Sequence, residues 1–226
     1  MISALIHGFA GTPAVWDDVI AAWQHDSTPI AIALPGHGGG AVRDSWQANL
    51  DAIAIDADLV VGYSLGARVA LGLVASGRIA RAILVGVNPG IDDAERPARR
   101  ASDAMWARML RDRGVSAFAD AWSAQPLFAT QARVSPERLA ARRRCRVALE
   151  AEQLARSLEA MGLAEMPDYR GAITADRVAL VAGADDAKYV AIARQFSVSV
   201  VTVPDSGHDP TLEQPQALAR IIASLA

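Results

Sequence analysis

Short apolar runs separated by amphipathic stretches set the frame of this 226-residue chain. Residues 2–6, 29–34, 58–62, 81–87, 177–183 and 197–203 are dominated by Val, Ile, Leu and Ala, the mark of strands buried on both faces. Residues 15–23, 46–55, 65–75 and 211–225 instead space their apolar positions at helical intervals. Strand and helix in alternation predict an α/β fold with a mostly parallel sheet flanked by helices. From 91 to 169 the alternation stops. Alanine- and arginine-rich helical stretches take over, and Trp106, Phe118, Trp122 and Phe128 fall within them. This predicts a core of residues 1–90 and 170–226, interrupted by a helical cap at 91–169 that lies over the mouth of the sheet.

Composition narrows the function. The chain is 52% hydrophobic with a net charge of −3, so nothing in the total suggests a nucleic acid or a membrane surface as partner. No apolar run approaches the ~20 residues of a membrane helix, and the first residues lack the basic start and cleavage site of a secretory signal. A cytoplasmic location is expected. The single cysteine, Cys145, excludes an intramolecular disulfide and a cysteine-rich metal site. Charge is unevenly spread. Residues 91–170 hold 14 arginines against 12 carboxylates, while the remainder holds 8 cations against 13. An arginine-rich segment on an acidic host hints at an anionic ligand.

The chemistry centres on Gly62-Tyr63-Ser64-Leu65-Gly66, between the strand-like 58–62 and the helix-like 65–75. A serine that must stand clear of a strand-to-helix corner needs a tight turn with small neighbours, and the free N–H groups of the following helix point at any charge forming there. The competing reading is an ordinary turn with a buried serine. The α/β-hydrolase arrangement orders its triad as serine, acid, histidine, each beyond a different strand. Only His208 of the four histidines follows Ser64, which makes it the candidate base. The acid must leave a strand end between them, at Asp185 or Asp186, although either could simply cap the next helix. Asp205 is near His208 in sequence but in the wrong part of the topology. The loop His7-Gly8-Phe9-Ala10-Gly11 follows the first strand, where this fold places one N–H of an oxyanion hole, here Phe9, with Leu65 supplying the other. His37 sits in a turn before the serine and is expected to bridge loop backbone.

Over nearly its whole length the chain resembles the 2-succinyl-6-hydroxy-2,4-cyclohexadiene-1-carboxylate synthases of menaquinone biosynthesis, lyases of the α/β-hydrolase superfamily. Shared with many α/β-hydrolases are the His7–Gly11 loop, Leu34-Pro35-Gly36-His37-Gly38, and Gly207-His208 leading to Glu213-Gln214-Pro215. More specific are Tyr63 and Arg68 bracketing the elbow, Asn88-Pro89-Gly90, Trp122 with Gln125-Pro126-Leu127-Phe128, and Asp186-Ala187-Lys188-Tyr189. By register the resemblance selects Asp186 as the triad acid, with Asp185 in reserve. It implies that Arg68, Arg99 and Arg146 hold substrate carboxylates, with Tyr63, Trp122 and Lys188 also in the substrate site. Arg142, Arg143 and Arg144 crowd the stretch from which Arg146 is drawn. The implied reaction removes pyruvate from a polycarboxylated cyclohexene, with Ser64 acting in proton abstraction and no metal or organic cofactor. Guanidinium forks suit carboxylates by bidentate pairing. Two positions depart from the family pattern: Ala67 replaces a usual glycine, and Thr211 stands where a second histidine is common. Rival expectations are a small serine carboxylesterase, a carbon–carbon bond hydrolase, or a binding protein of the same fold. The oligomeric state is left open.

Overall fold

The computed structural model describes all of residues 1–226. The chain runs β1 (Ile2–Ile6), α1 (Asp17–Ala21), β2 (Thr28–Ile32), α2 (Trp46–Asp51), β3 (Leu59–Tyr63), α3 (Leu65–Ala75) and β4 (Ala82–Val85). A wholly helical segment follows, with α4 (Arg96–Ser123), a 3-10 stretch (Pro126–Arg133), α5 (Pro136–Val147) and α6 (Ala151–Met161). The sheet then resumes with β5 (Val178–Gly183), α7 (Ala187–Ala193), β6 (Val200–Val203), α8 (Pro210–Glu213) and α9 (Pro215–Leu225). All six strands pair in parallel, in the order β2-β1-β3-β4-β5-β6. This is an α/β-hydrolase fold.

Side-chain alternation explains the two-sided core. Val60, Ala82, Leu84 and Leu180 face one layer, packed against α2 and α3, while Val61, Ile83, Val85 and Val181 face the other, against α1 and α9. A third, smaller core joins α4 to α6 through Ala107, Leu110, Phe118, Leu154 and Leu158, and Ala10 of the loop after β1 packs into it. The helical segment is thus seated on the C-terminal edge of the sheet through that loop. Strand order reverses between β1 and β3, and in open parallel sheets ligands bind at such a switch point.

Three expectations need correcting. The closing helix expected at 211–225 is two helices, because Pro215 cannot donate a backbone bond and Gln214 leaves the helical region at φ −142°. The helix expected at 15–23 begins instead as a 3-10 turn, Pro13–Trp16, followed by only five α-helical residues. Four strands, β2, β4, β5 and β6, are shorter than their apolar runs: 81–87, for example, pairs only over Ala82–Val85, since Gly86 turns to φ 62°.

Candidate active site

The elbow after β3 is strained as its sequence demands. Ser64 has φ 53° and ψ −108°, and Gly66 passes so close to β1 that a Cβ there would stand 2.1 Å from the Ile6 carbonyl oxygen. The turn projects Ser64 Oγ toward the loop after β6, where it lies 3.1 Å from His208 Nε2. His208 Nδ1 is 2.7 Å from Asp186 Oδ2, and both side chains are buried. The carboxylate fixes the tautomer: Nδ1 carries the hydrogen and Nε2 is free to accept one from serine. Asp186 also caps α7 through the Tyr189 N–H, so its two oxygens do different work. Asp185 points elsewhere and pairs in the open with Arg133 at 2.6 Å.

Gly86 lies against the imidazole, where a Cβ would come within 3.0 Å of His208 Cε1. The Tyr189 ring also packs on His208, 4.3 Å between centroids. Burial raises the Tyr189 phenol above its ordinary range, as it does the Tyr63 phenol, where the carboxylate of Asp209 adds to the effect. Phe9 and Leu65 border the same cavity as Ser64, and their amides make no loop or cap bond to a backbone carbonyl. The loop bearing Phe9 is fastened by two histidines. His37 Nε2 accepts the Ala10 N–H at 3.0 Å while its Nδ1–H donates to Pro35; His7 Nε2 accepts the Leu34 N–H at 3.1 Å while its Nδ1–H donates to Gly8. Burial drives both toward the neutral form, His7 down to about 3 and His37 down to about 4.

Above Ser64 is a cavity of about 530 Å³ roofed by the helical segment. Its cations fall into two kinds. Arg99 is paired with Asp103 at 2.8 Å and Arg142 with Asp209 at 3.1 Å. Arg68 and Arg146 have no carboxylate partner. Arg68 donates to the Met161 carbonyl at 3.0 Å and lies 5.8 Å from the Trp46 ring centre, while Arg146 donates to the Ala10 carbonyl and to Ser123 Oγ. Burial, aided by the charge of Arg99, lowers Arg68 to about 10; burial and Arg142 lower Arg146. Lys188 borders the cavity from its exposed rim, with its ammonium 5.5 Å from the Tyr189 ring centre. Trp122 both walls the cavity and belongs to the aromatic cluster of the helical segment, 5.2 Å from the rings of Phe9 and Trp106. No three His, Cys, Asp or Glu side chains converge as a metal ion requires, and no helix is long and apolar enough to cross a membrane.

Comparison with known proteins gives the chain its family. A model described as the Alpha/beta hydrolase family matches residues 4–221. The 2-succinyl-6-hydroxy-2,4-cyclohexadiene-1-carboxylate synthase of Escherichia coli is 35% identical over 98% of this chain and 90% of its own length. The synthase of the same name from Klebsiella pneumoniae is 34% identical over 97% and 92%. The chain belongs to this synthase family. It is therefore an enzyme, one that acts on a small molecule. Among solved structures, MenH from S. aureus superposes with a TM-score of 0.87 at 24% identity, over 100% of this chain and 92% of that one. A thermophilic esterase from Thermogutta terrifontis follows at 0.81 and 23%, over 99% and 88%. At those identities the likeness concerns the fold.

Within this member of the synthase family, the structure also brings together residues that sequence reasoning did not select. Asp103 and Arg142 both border the cavity. Each lies four residues from a selected arginine, Asp103 from Arg99 and Arg142 from Arg146, so one helical turn places each pair on a common face. That spacing was the available signal.

Proposed function

We propose that this enzyme eliminates pyruvate from 2-succinyl-5-enolpyruvyl-6-hydroxy-3-cyclohexene-1-carboxylate to give 2-succinyl-6-hydroxy-2,4-cyclohexadiene-1-carboxylate, a step of menaquinone biosynthesis. One observation carries the choice of ligand: Arg68 and Arg146 line the cavity beside Ser64 and lack carboxylate partners. A half-buried guanidinium without a counter-charge is unfavourable, and a polycarboxylate substrate supplies what is missing. Arg99 and Lys188 extend the positive lining, Tyr63 and Trp122 supply walls, and residues 91–169 serve as the cap that keeps water out.

In this reading His208 Nε2 accepts the Ser64 proton as Ser64 Oγ removes the hydrogen from the ring carbon next to the succinyl ketone. Negative charge gathers on the ketone oxygen, which the Phe9 and Leu65 N–H groups are disposed to receive. Asp186 stabilises the imidazolium. The electrons return through the ring double bond and expel the enolpyruvyl oxygen. The departing enolate takes up a proton and becomes pyruvate, leaving the second ring double bond. No water is consumed, and serine is not acylated.

The direct test is release of pyruvate from the cyclohexene substrate, followed by coupling to lactate dehydrogenase. Wild type should turn over, and Ser64→Ala and His208→Ala should each lose ~10³-fold or more. Rapid hydrolysis of p-nitrophenyl acetate with no pyruvate release would overturn the assignment.

A further inference from the structure

The backbone around His208 is held by groups with no part in the proton transfers above. Buried Glu213 accepts the Gly207 N–H at 2.9 Å and the Asp209 N–H at 3.3 Å, so one carboxylate fixes the amides on both sides of His208. Asp209 is buried too. Its Oδ1 accepts the Leu212 N–H and the Thr211 hydroxyl at the start of α8, at 3.2 and 2.5 Å. Its Oδ2 faces the helical segment, where Arg142 of α5 donates to it at 3.1 Å and to Thr211 Oγ1 at 3.1 Å. The two side chains are only 14% and 4% exposed, so water screens the pair little.

We propose that Arg142 is a positioning residue for His208, acting through Asp209 and Thr211 to register the base against the cap. The proposal rests on His208 being the base. Its ring must reach Ser64 with one nitrogen and Asp186 with the other, at 3.1 and 2.7 Å, while Gly86 and Tyr189 restrict it on its faces. The loop therefore has little room to move without breaking one of those bonds. A displacement of about 1 Å at such a centre can cost ~10²-fold in rate. A second arginine of the cap region offers an internal contrast. Arg133 pairs with Asp185, next to the triad acid, and comes only to 4.0 Å from Glu213; its side chain is 52% exposed, and pairs so open to water hold little.

The experiment compares full-length wild type with Arg142→Met, Arg142→Lys, the double variant Arg142→Met/Asp209→Asn, Arg133→Met and His208→Ala, by pyruvate release and by melting temperature. Arg142→Met should lower kcat by ~10- to 100-fold with KM within about threefold. Lysine should restore most of the rate, since an ammonium still meets Asp209. The double variant removes both charges of the Arg142–Asp209 pair, so neither is left alone and it should melt near wild type yet keep the low kcat. Arg133→Met should stay within about twofold of wild type. Recovery of kcat together with melting temperature in the double variant would reduce Arg142 to a structural role. A rise in KM at unchanged kcat would make it a substrate ligand, and an equal loss in Arg133→Met would show that any cap contact suffices; each result overturns the proposal. Full turnover in His208→Ala would overturn the reading of the triad itself. Inactive His208→Ala beside normal Arg142→Met would overturn the positioning role alone.

Discussion

Replacing Arg68 by methionine separates binding of a carboxylate from support of the fold. In the free enzyme, burial and the charge of Arg99 lower this guanidinium to about 10, equivalent to about 3 kcal/mol against its charged form. Its contacts recover part of that: a charged bond to the Met161 carbonyl at 3.0 Å contributes about 1–2 kcal/mol, and the Trp46 face about 1. The two sides nearly cancel. Methionine retains much of the apolar stem and removes both, so the melting temperature should change by no more than about 4 °C. Substrate binding is another matter. A carboxylate placed against Arg68 forms a charge-assisted pair worth about 2–4 kcal/mol, and its loss should cut kcat/KM for the cyclohexene polycarboxylate by ~30- to 900-fold. Lysine at 68 should restore only part, because a point charge cannot make the bidentate fork. Pyruvate release measures the first quantity and differential scanning calorimetry the second. A fall of more than about 10 °C, or an equal loss on a neutral ester, would show that Arg68 braces α3 against α6 and would refute the carboxylate assignment.

Other consequences can be checked alongside. Asp186→Asn should lose ~10³-fold or more in kcat while Asp185→Asn loses less than about threefold, since only Asp186 meets His208; the reverse ranking by pyruvate assay would move the acid. Gly86→Ala should lower kcat at least ~10-fold, because its φ of 62° and a Cβ 3.0 Å from His208 Cε1 both resist the methyl group; wild-type kcat in a folded variant would mean the ring has slack. His7 and His37 titrate near 6.5 when unfolded but at about 3 and about 4 when folded, so the unfolded chain binds more protons between those limits. Their contribution to stability is therefore complete above pH 6.5 and declines as pH falls through 6 to 4, by up to about 2.7 kcal/mol per pH unit. Urea unfolding across that range checks this. A flat profile would contradict the neutral-histidine arrangement.

How much of this was legible in the sequence depended on whether a residue's neighbours in the chain decide its place. β3 and β4 were clear because strands covered on both faces are apolar throughout. His208 was clear because topology left no other histidine after Ser64. The choice between Asp185 and Asp186 was not open to spacing, since adjacent residues leaving a strand diverge in direction and only the backbone at Asp186, φ −89° and ψ 73°, settles which way each faces. The arginines of α5 were illegible for a different reason. That helix has no fully buried residue, so no apolar stripe sets its rotation; packing turns Arg142 and Arg146 to the cavity and Arg143 to Asp120. Pro215 did announce the break before α9, but the apolar spacing on either side masked it.

Backbone strain was legible in the sequence at Ser64 but not at Ala10 or Asp205, and its distribution ties these features together. Three residues other than glycine have positive φ: Ala10 at 53°, Ser64 at 53° and Asp205 at 52°. They stand in the loops after β1, β3 and β6, the loops that carry the Phe9 amide, the serine and His208. Such conformations cost of order 1–3 kcal/mol each and persist only where surrounding structure enforces them. Here the enforcing bonds come from elsewhere in the chain. His37 accepts the Ala10 N–H and Arg146 donates to its carbonyl; the Ser64 N–H donates to Val85 of β4; Gln214 donates to the Asp205 carbonyl. Ala10 is the instructive case. Alanine has no special tolerance for positive φ, so a turn there cannot be read from its own residue type. It depends on a neutral histidine before the serine and on an arginine from α5, which binds the Phe9 loop to the helical segment. The same arginine faces the cavity without a carboxylate partner. Under the proposed function, substrate binding and the shape of the Phe9 loop meet in this one guanidinium: a carboxylate that draws Arg146 toward itself would pull on the Ala10 carbonyl, one residue beyond Phe9.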